Sequence, residues 1–228
     1  MLDRIEAGSE RQRQFVADAS HELRSPLSTI KAAAEVAQAS EDPARFGQLA
    51  GEVGAEADRM EVLISDLLDL ARLDETTGVR MEPVDLRSVC RAAVGRLPAG
   101  DIAIELAPGD ATVSGDAEQL ERAIFNLVLN ARQHATRQVR VSLSSSGGRA
   151  VLDVDDDGPG IPAEDRERIF ERFVRLDSSR ARQTGGAGIS LSLVRLIVDR
   201  HQGTIEVGEA PELGGARFRV ELPAVAAS

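Results

Sequence analysis

The clearest absences in this sequence are of aromatic and sulfur-containing side chains. It has no Trp, no Tyr and a single cysteine, Cys90, and aromatic residues make up 3% of its 228 positions. A core must therefore be built mostly from Leu, Val, Ile and Ala, which favours helices. The lone cysteine excludes an internal disulfide and a cysteine-rich metal site, and it is consistent with a reducing compartment.

Basic residues and long apolar runs are also scarce. The formal charge is -11, with 27 Lys and Arg against 38 Asp and Glu. Nucleic acids and anionic membranes need clustered cations, so neither is expected as a partner of the whole surface. The chain has neither a run of about 18 apolar residues nor a secretory signal. We therefore expect a soluble chain whose 42% hydrophobic content allows one large or two ordinary domains.

The first third of the chain is predicted to be a helical hairpin. Apolar residues recur at helical spacing over residues 2–38, and Pro26 is expected to kink this helix just after His21. After a turn at 40–43, a second run has the spacing of a coiled-coil seam. Its apolar residues are Phe46, Leu49, Val53, Met60, Leu63, Leu67, Leu70 and Leu73. Because one hairpin cannot bury such a seam alone, we expect a homodimer that forms a four-helix bundle.

The remainder of the chain predicts an α+β sandwich that follows a linker at 76–83. Asp85 and Asp116 are expected to cap the first two helices, and a later helix is expected to begin near Pro162. A last helix ends near Arg200. The predicted strands cover residues 102–106, 112–114, 139–143, 150–155, 204–207 and 217–222.

One candidate site is a pair of asparagines in the predicted helix after Asp116. Asn126 and Asn130 lie one turn apart, so their side chains share a helix face. Amide oxygens are hard ligands that suit a Mg²⁺ ion which keeps some waters and shares phosphate oxygens. Two surface amides without a ligand are the alternative, and the pair alone leaves both interpretations open.

A second candidate site is the acidic turn at 153–160, which follows an apolar strand. Gly158 and Gly160 allow the backbone to pass close to a flat ligand, and one carboxylate can accept a hydrogen bond from an exocyclic amine. A calcium loop of the EF-hand type is disfavoured because its distant glutamate and flanking helices are missing. An acidic turn without a ligand remains the alternative.

A third candidate site is the glycine-rich loop that runs into the last helix. Free amides at a helix start favour anions, and Arg180 and Arg182 offer charge-assisted contacts to them. The spacing is neither that of a Rossmann motif nor that of a P-loop. Just upstream, Phe170 and Phe173 most simply supply core residues of a helix.

Five stretches, in this order, resemble the H, N, G1, F and G2 boxes of the two-component sensor histidine kinases. They are residues 21–26, 126–130, 156–160, 170–173 and 186–188. The resemblance runs from about residue 10 to the end of the chain. It implies a dimerisation and histidine phosphotransfer domain and then a catalytic ATP-binding domain of the Bergerat type, shared with gyrase, Hsp90 and mismatch-repair ATPases.

The resemblance also implies a domain plan. Residues 1–10 are similar to the end of a HAMP helix, 11–75 form the phosphotransfer domain, and 84–228 form the catalytic domain. The linker at 76–83 would be the hinge that lets the catalytic domain present ATP. This chain would then be the cytoplasmic fragment of a sensor that is anchored in the membrane through upstream segments.

Individual roles follow from the same resemblance. His21 would attack the γ-phosphoryl group of ATP with Glu22 as its hydrogen-bonding base, before transfer to the receiver domain of a response regulator. Ser25, where Thr or Asn is usual, would orient water when that partner is dephosphorylated. Asn130 would bind Mg²⁺, and Asp156 would read the adenine amine. The other residues assigned to the nucleotide are Asn126, Gln133, His134, Gly158, Gly160, Arg180, Arg182, Gly186, Ala187 and Gly188.

Two departures from the family pattern keep other functions open. Gln133 stands where Lys or Arg is frequent, and Ser190 stands where a third glycine is usual. One alternative is a signalling scaffold that binds nucleotide without forming phosphohistidine. The other is a Bergerat-type ATPase, whose activity would not respond to His21→Gln.

Overall fold

The computed structural model describes residues 2–39, 42–75, 78–97, 100–174, 176 and 188–225. These residues form two compact units, and the division falls between Asp69 and Leu70. Within the described residues, no helix combines the length and the apolar character needed to cross a bilayer.

The predicted helical hairpin makes up the first unit, except for the last turns of its second helix, which belong to the second unit. Helix α1 spans Leu2–Ala39 and helix α2 spans Pro43–Glu75. The helix α1 continues through Pro26, and the expected kink stays a prediction. Residues 40 and 41 of the predicted turn lie outside the described residues, and Pro43 begins α2.

The apolar residues of the hairpin do not all lie on its packed side. Leu63 of α2 and Ala33 of α1 are buried. Leu27 is 57% exposed and Phe46 is 59% exposed, so a single hairpin does not bury them. The other large apolar side chains exposed on the hairpin are Val36, Val62, Ile64 and Leu68.

Three helices of the second unit begin or end close to their predicted positions. Helix α3 spans Leu86–Gly95, α4 spans Ala117–His134 and α5 spans Ser190–Arg200. Asp85 caps α3 by accepting a hydrogen bond from the Arg87 N–H, as predicted. Asp116 likewise caps α4, because its carboxylate accepts hydrogen bonds from the first amides of the helix.

A five-stranded sheet packs against these helices, in the order β2-β4-β5-β7-β6. Its strands are β2 (Ala103–Leu106), β4 (Gln138–Ser146), β5 (Arg149–Asp156), β6 (Thr204–Glu209) and β7 (Ala216–Pro223). Strands β2 and β4 are parallel, and the other neighbours are antiparallel. Buried apolar side chains of β4, β5 and β7 form the core together with α4 and α5. The prediction of an α+β sandwich is therefore confirmed.

A second, two-stranded sheet contains a strand that the sequence did not predict. Strand β1 (Glu82–Asp85) pairs with β3 (Thr112–Gly115) in antiparallel orientation. Its first two residues fall inside the predicted linker at 76–83. Only Val84 of β1 is buried, so the segment carries almost no alternating pattern. Its pairing depends on a partner that is distant in the chain, with Glu82 opposite Gly115 and Asp85 opposite Thr112.

The helix predicted after Pro162 is absent from the described residues at this position. Two short 3₁₀ turns, Ala163–Asp165 and Arg168–Phe170, take its place. The buried residues here, Ile169 and Phe170, are adjacent. They therefore cannot form the three-and-four stripe whose packing stabilises a short α-helix.

The end of α5 is tied to other parts of the second unit by Arg200 and His201. The guanidinium of Arg200 donates to the carbonyl oxygens of Leu73 and Gly78. The buried ring of His201 accepts a hydrogen bond from the Asp116 N–H at 3.0 Å through Nε2, and Nδ1 lies 2.7 Å from the Ile197 carbonyl oxygen. This pattern defines a neutral ring with its proton on Nδ1, which joins the end of α5 to the start of α4.

The neutral state of His201 makes stability depend on pH. Burial lowers the pKa of His201 in the folded chain, whereas the unfolded chain takes up a proton near pH 6.5. The unfolded state then binds more protons, so the free energy of unfolding falls as the pH drops below about 6.5. We expect urea unfolding at pH 7.5 and 5.5 to show this loss, and a smaller loss in His201→Gln. An equal loss in both proteins would contradict the assignment.

Candidate functional site

Helix α4 presents two asparagines on one face. The opposite face of α4 is buried through Leu127, Val128 and Ala131. Asn126 is only 3% exposed, and its Nδ2 has no acceptor among the described residues. A buried amide without a partner costs about 1–3 kcal/mol, so this donor is suited to a ligand oxygen. Asn130 lies one turn further along and is half-buried.

The carboxylates at the end of β5 divide between two roles. Asp153 and Asp155 form bidentate pairs with Arg219 and Arg217 of the neighbouring strand β7, with N–O distances of 2.6–2.8 Å. These pairs satisfy both carboxylates within the sheet. Asp153 and Asp155 are therefore structural, and the acidic turn leaves only its last two carboxylates for other roles.

Asp156, the last residue of β5, carries a buried carboxylate. It is 2% exposed, and its Oδ1 accepts hydrogen bonds from the Gly158 N–H at 2.8 Å and the Ala216 N–H at 3.1 Å. Burial raises the pKa of Asp156, and the two N–H donors oppose this effect only in part. Because both bonds converge on Oδ1, the second oxygen is left to accept from a ligand such as an amine.

Two glycines make room for the Asp156 turn. A Cβ atom on Gly158 would lie 2.4 Å from the His134 carbonyl oxygen, and a Cβ on Gly215 would lie 2.3 Å from Asp156 Oδ1. Either contact is far inside van der Waals distance. The last residue of α4 and Gly215, the residue before β7, therefore both meet the Asp156 turn at the backbone. Gly160 follows with a φ of 72°, which glycine adopts at low cost.

Both phenylalanines of the segment before the glycine-rich loop contact other parts of the second unit. Phe170 is buried edge-on against Phe218, with ring centroids 6.4 Å apart, and the Arg195 guanidinium lies over its ring. Phe173 is half-buried and has a left-handed φ of 64°, so the prediction that it is a helical core residue is wrong. Its N–H donates to the Gly188 carbonyl at 2.8 Å. This bond anchors the end of the loop where α5 begins.

Several predicted site residues lie outside this description. Arg180, Arg182, Gly186 and Ala187 are outside the described residues. The backbones of Glu22 and Ser25 belong to α1, and their side chains are outside the described part of the chain.

The remaining predicted residues lie on the two helices α1 and α4. His21 is exposed on α1 in the first unit. Gln133 and His134 are exposed in the last turn of α4, and a charge on His134 would favour ionisation of Asp156.

The sequence analysis missed two contributors to the site, Gly215 and Ala216. Gly215 gives space to Asp156, and the Ala216 amide binds it. Their signal was the glycine pair directly before the alternating strand β7, since glycine beside a strand often marks a close backbone approach.

Comparisons with known proteins agree on one family. Residues 115–226 match the family described as histidine kinase-, DNA gyrase B- and HSP90-like ATPases. Residues 11–76 match the His Kinase A (phospho-acceptor) domain. The first of these matches implies ATP binding by the second unit.

Individual relatives extend the match over the whole chain. The probable sensor histidine kinase TcrY of Mycobacterium tuberculosis is 41% identical over 98% of this chain and 50% of its own length. The signal transduction histidine-protein kinase/phosphatase MprB of Mycolicibacterium smegmatis is 33% identical over 98% of this chain and 48% of its own length. This chain thus spans about half the length of the curated relatives it matches.

Solved structures give the same result. A structure of the mycobacterial sensor histidine kinase MprB is 31% identical, with a TM-score of 0.54 over 63% of this chain and 97% of that one. The histidine kinase ThkA, solved in complex with the response regulator protein TrrA, has a TM-score of 0.74 over 99% of this chain and 67% of that one; at 20% identity it supports the fold alone. The chain belongs to the sensor histidine kinase family.

Proposed function

We propose that this chain is the kinase part of a two-component sensor, which transfers the γ-phosphoryl group of ATP to His21 and then to an aspartate of a response regulator. The observation that carries the proposal is Asp156. Two backbone amides hold one of its oxygens inside a buried turn, and the other is left for the adenine amine. A protein–ligand hydrogen bond at a buried carboxylate discriminates strongly against bases that lack the donor.

The phosphate side of the pocket is assigned to α4 and to the loop before α5. The unpartnered Nδ2 of buried Asn126 fits a phosphate oxygen. Asn130 would hold Mg²⁺, which neutralises phosphate charge when bound. Gln133 and His134 line this region in the proposal, whereas Gly158 and Gly160 shape the pocket beside Asp156. Arg180, Arg182, Gly186, Ala187 and Gly188 would complete the phosphate side.

Phosphotransfer is assigned to α1. An imidazole nitrogen of exposed His21 would form the N–P bond while the bond from phosphorus to the ADP oxygen breaks. Glu22 would keep that nitrogen available by accepting the proton of the other ring nitrogen. Ser25, one turn later, would orient water for dephosphorylation of the regulator.

Two further assignments concern assembly and location. The exposed apolar side chains of the hairpin, among them Leu27 and Phe46, support a homodimer in which two hairpins form a four-helix bundle. The domain plan of 11–75, 76–83 and 84–228 stays a proposal, as does anchoring of a cytoplasmic fragment through upstream segments.

The test is incubation of the chain with γ-labelled ATP and Mg²⁺. We expect a protein-bound label that acid removes and alkali does not, because the phosphoramidate of histidine is acid-labile. The label should then move to a receiver domain. ATP binding without label would indicate a signalling scaffold, and release of phosphate without protein label would indicate an ATPase, so either result would contradict the proposal.

A further inference from the structure

Asp157, the residue after Asp156, binds the segment that connects α4 to β4. Its Oδ1 accepts hydrogen bonds from three successive backbone amides, Thr136 N–H at 2.8 Å, Arg137 N–H at 3.0 Å and Gln138 N–H at 3.2 Å. The Thr136 hydroxyl also donates to the Asp157 carbonyl oxygen. One carboxylate thus closes the whole connection between α4 and β4.

This contact joins the Asp156 turn to the end of α4, the helix that carries Asn126 and Asn130. Asp157 lies between Asp156 and Gly158 in the chain, and the amides it binds begin two residues after His134, where α4 ends. Gly158 touches the same place, since a Cβ there would lie 2.4 Å from the His134 carbonyl oxygen. The two residues that follow Asp156 therefore both contact the end of α4 or the residues directly after it, Asp157 through hydrogen bonds and Gly158 through a close backbone approach.

The three hydrogen bonds from backbone amides to Asp157 Oδ1 are charge-assisted, and together we call them the Asp157 clamp. The donors are backbone N–H groups, which favour the ionised carboxylate, and they lower the pKa of Asp157. Each such bond is about twice as strong as a neutral one. The clamp is then fully ionised at neutral pH, and its three donors would lose a common acceptor if the carboxylate were removed.

We propose that Asp157 is a positioning residue for ATP, which sets the distance between the adenine side of the pocket at Asp156 and the phosphate side on α4 at Asn126 and Asn130. The inference rests on the proposed function, because it takes those residues as the two ends of the ATP site. A ligand that reaches both ends depends on their separation, whereas a ligand that reaches one end does not.

The clamp itself is tested without nucleotide. Amide hydrogen exchange of Thr136, Arg137 and Gln138 should become at least about tenfold faster in Asp157→Ala, because their acceptor is lost. Asp157→Asn keeps an acceptor oxygen and should give an intermediate rate. Unchanged protection of these amides in Asp157→Ala would overturn the clamp.

The positioning role is tested by calorimetry with three probes: ATP, adenosine and tripolyphosphate. In Asp157→Ala the Kd for ATP should rise about tenfold or more, while the Kd values for adenosine and tripolyphosphate change by less than about threefold. Asp157→Asn should recover part of the ATP affinity. Asp110→Ala, which removes an exposed loop carboxylate in the same unit, is the matched control and should bind ATP as the unaltered chain does.

The outcomes separate this proposal from the proposed function. If the unaltered chain binds no ATP, both the proposed function and the positioning role of Asp157 are wrong. If it binds ATP and Asp157→Ala binds it equally well, only the positioning role falls. A loss of affinity that is equal for all three probes would show general damage to the domain and would also overturn the positioning role.

Discussion

His21→Gln is expected to remove the acid-labile label completely and to leave the affinity for ATP unchanged. The chain has three histidines, and they differ in what they can do. The ring of His201 is buried with both nitrogens engaged, so it has no lone pair to offer. His134 is exposed at the end of α4, and His21 is exposed on α1 in the separate first unit. Only His21 lies in the segment that matches a phospho-acceptor domain.

Gln is a suitable replacement because it keeps polarity and helix propensity while removing the nucleophilic nitrogen. Exposed sites on a helix tolerate such changes within about 0.5 kcal/mol, so the helix itself should persist. Labelling with γ-labelled ATP and calorimetric ATP titration are the two measurements. Lys31→Gln, at another exposed position of α1, is the control and should be labelled normally. Residual acid-labile label in His21→Gln would show that another residue accepts the phosphoryl group.

Gly215→Ala is expected to weaken ATP binding on the order of a hundredfold. The new methyl group would lie 2.3 Å from Asp156 Oδ1, 2.5 Å from the Asp156 carbonyl oxygen and 2.5 Å from the Gly158 nitrogen. All three atoms belong to the rigid turn, so the turn itself must move. The two hydrogen bonds that aim Asp156 would lengthen, and crowding should cost about 1–3 kcal/mol of stability.

The matched control is Gly208→Ala in β6 of the same sheet. A Cβ at Gly208 meets no atom within 4 Å, so this change should leave ATP binding intact and alter stability by less than about 1 kcal/mol. Because the chain has no Trp or Tyr, calorimetry is the readout for binding and circular dichroism the readout for folding. A folded Gly215→Ala variant with normal ATP affinity would show that the turn relaxes without losing its ligand.

The sequence predicted those elements whose signals are local. The N-caps Asp85 and Asp116 were found because a capping carboxylate acts on amides two or three residues away. The hairpin helices followed from apolar periodicity sustained over more than thirty residues. Phe46 shows the limit of that signal, because periodicity reports an apolar stripe but does not say which molecule covers it.

Residues that are distant in the chain determine which carboxylates of the acidic turn are already paired within the sheet. Asp155 and Arg217 are 62 residues apart in the chain, and the register of β5 with β7 brings them together. That register pairs both carboxylate oxygens of Asp155 with Arg217, whereas the two hydrogen bonds to Asp156 both end on its Oδ1. The resemblance to a family assigned Asp156 to the adenine amine, and the structure shows that this carboxylate is buried. Neither the resemblance nor the pattern indicated what Asp157 binds.

The position of β7 in the sheet has a consequence for how the protein is made. This strand is the last of the sheet to leave the ribosome, yet it lies between β5 and β6 and its first residue, Ala216, binds Asp156. A nascent chain that has not reached residue 216 exposes the edge of β5, with Asp153 and Asp155 still lacking their arginines. We therefore expect incomplete chains to expose an unpaired strand edge, which chaperones and proteases recognise, and to lack the Ala216 N–H that holds Asp156.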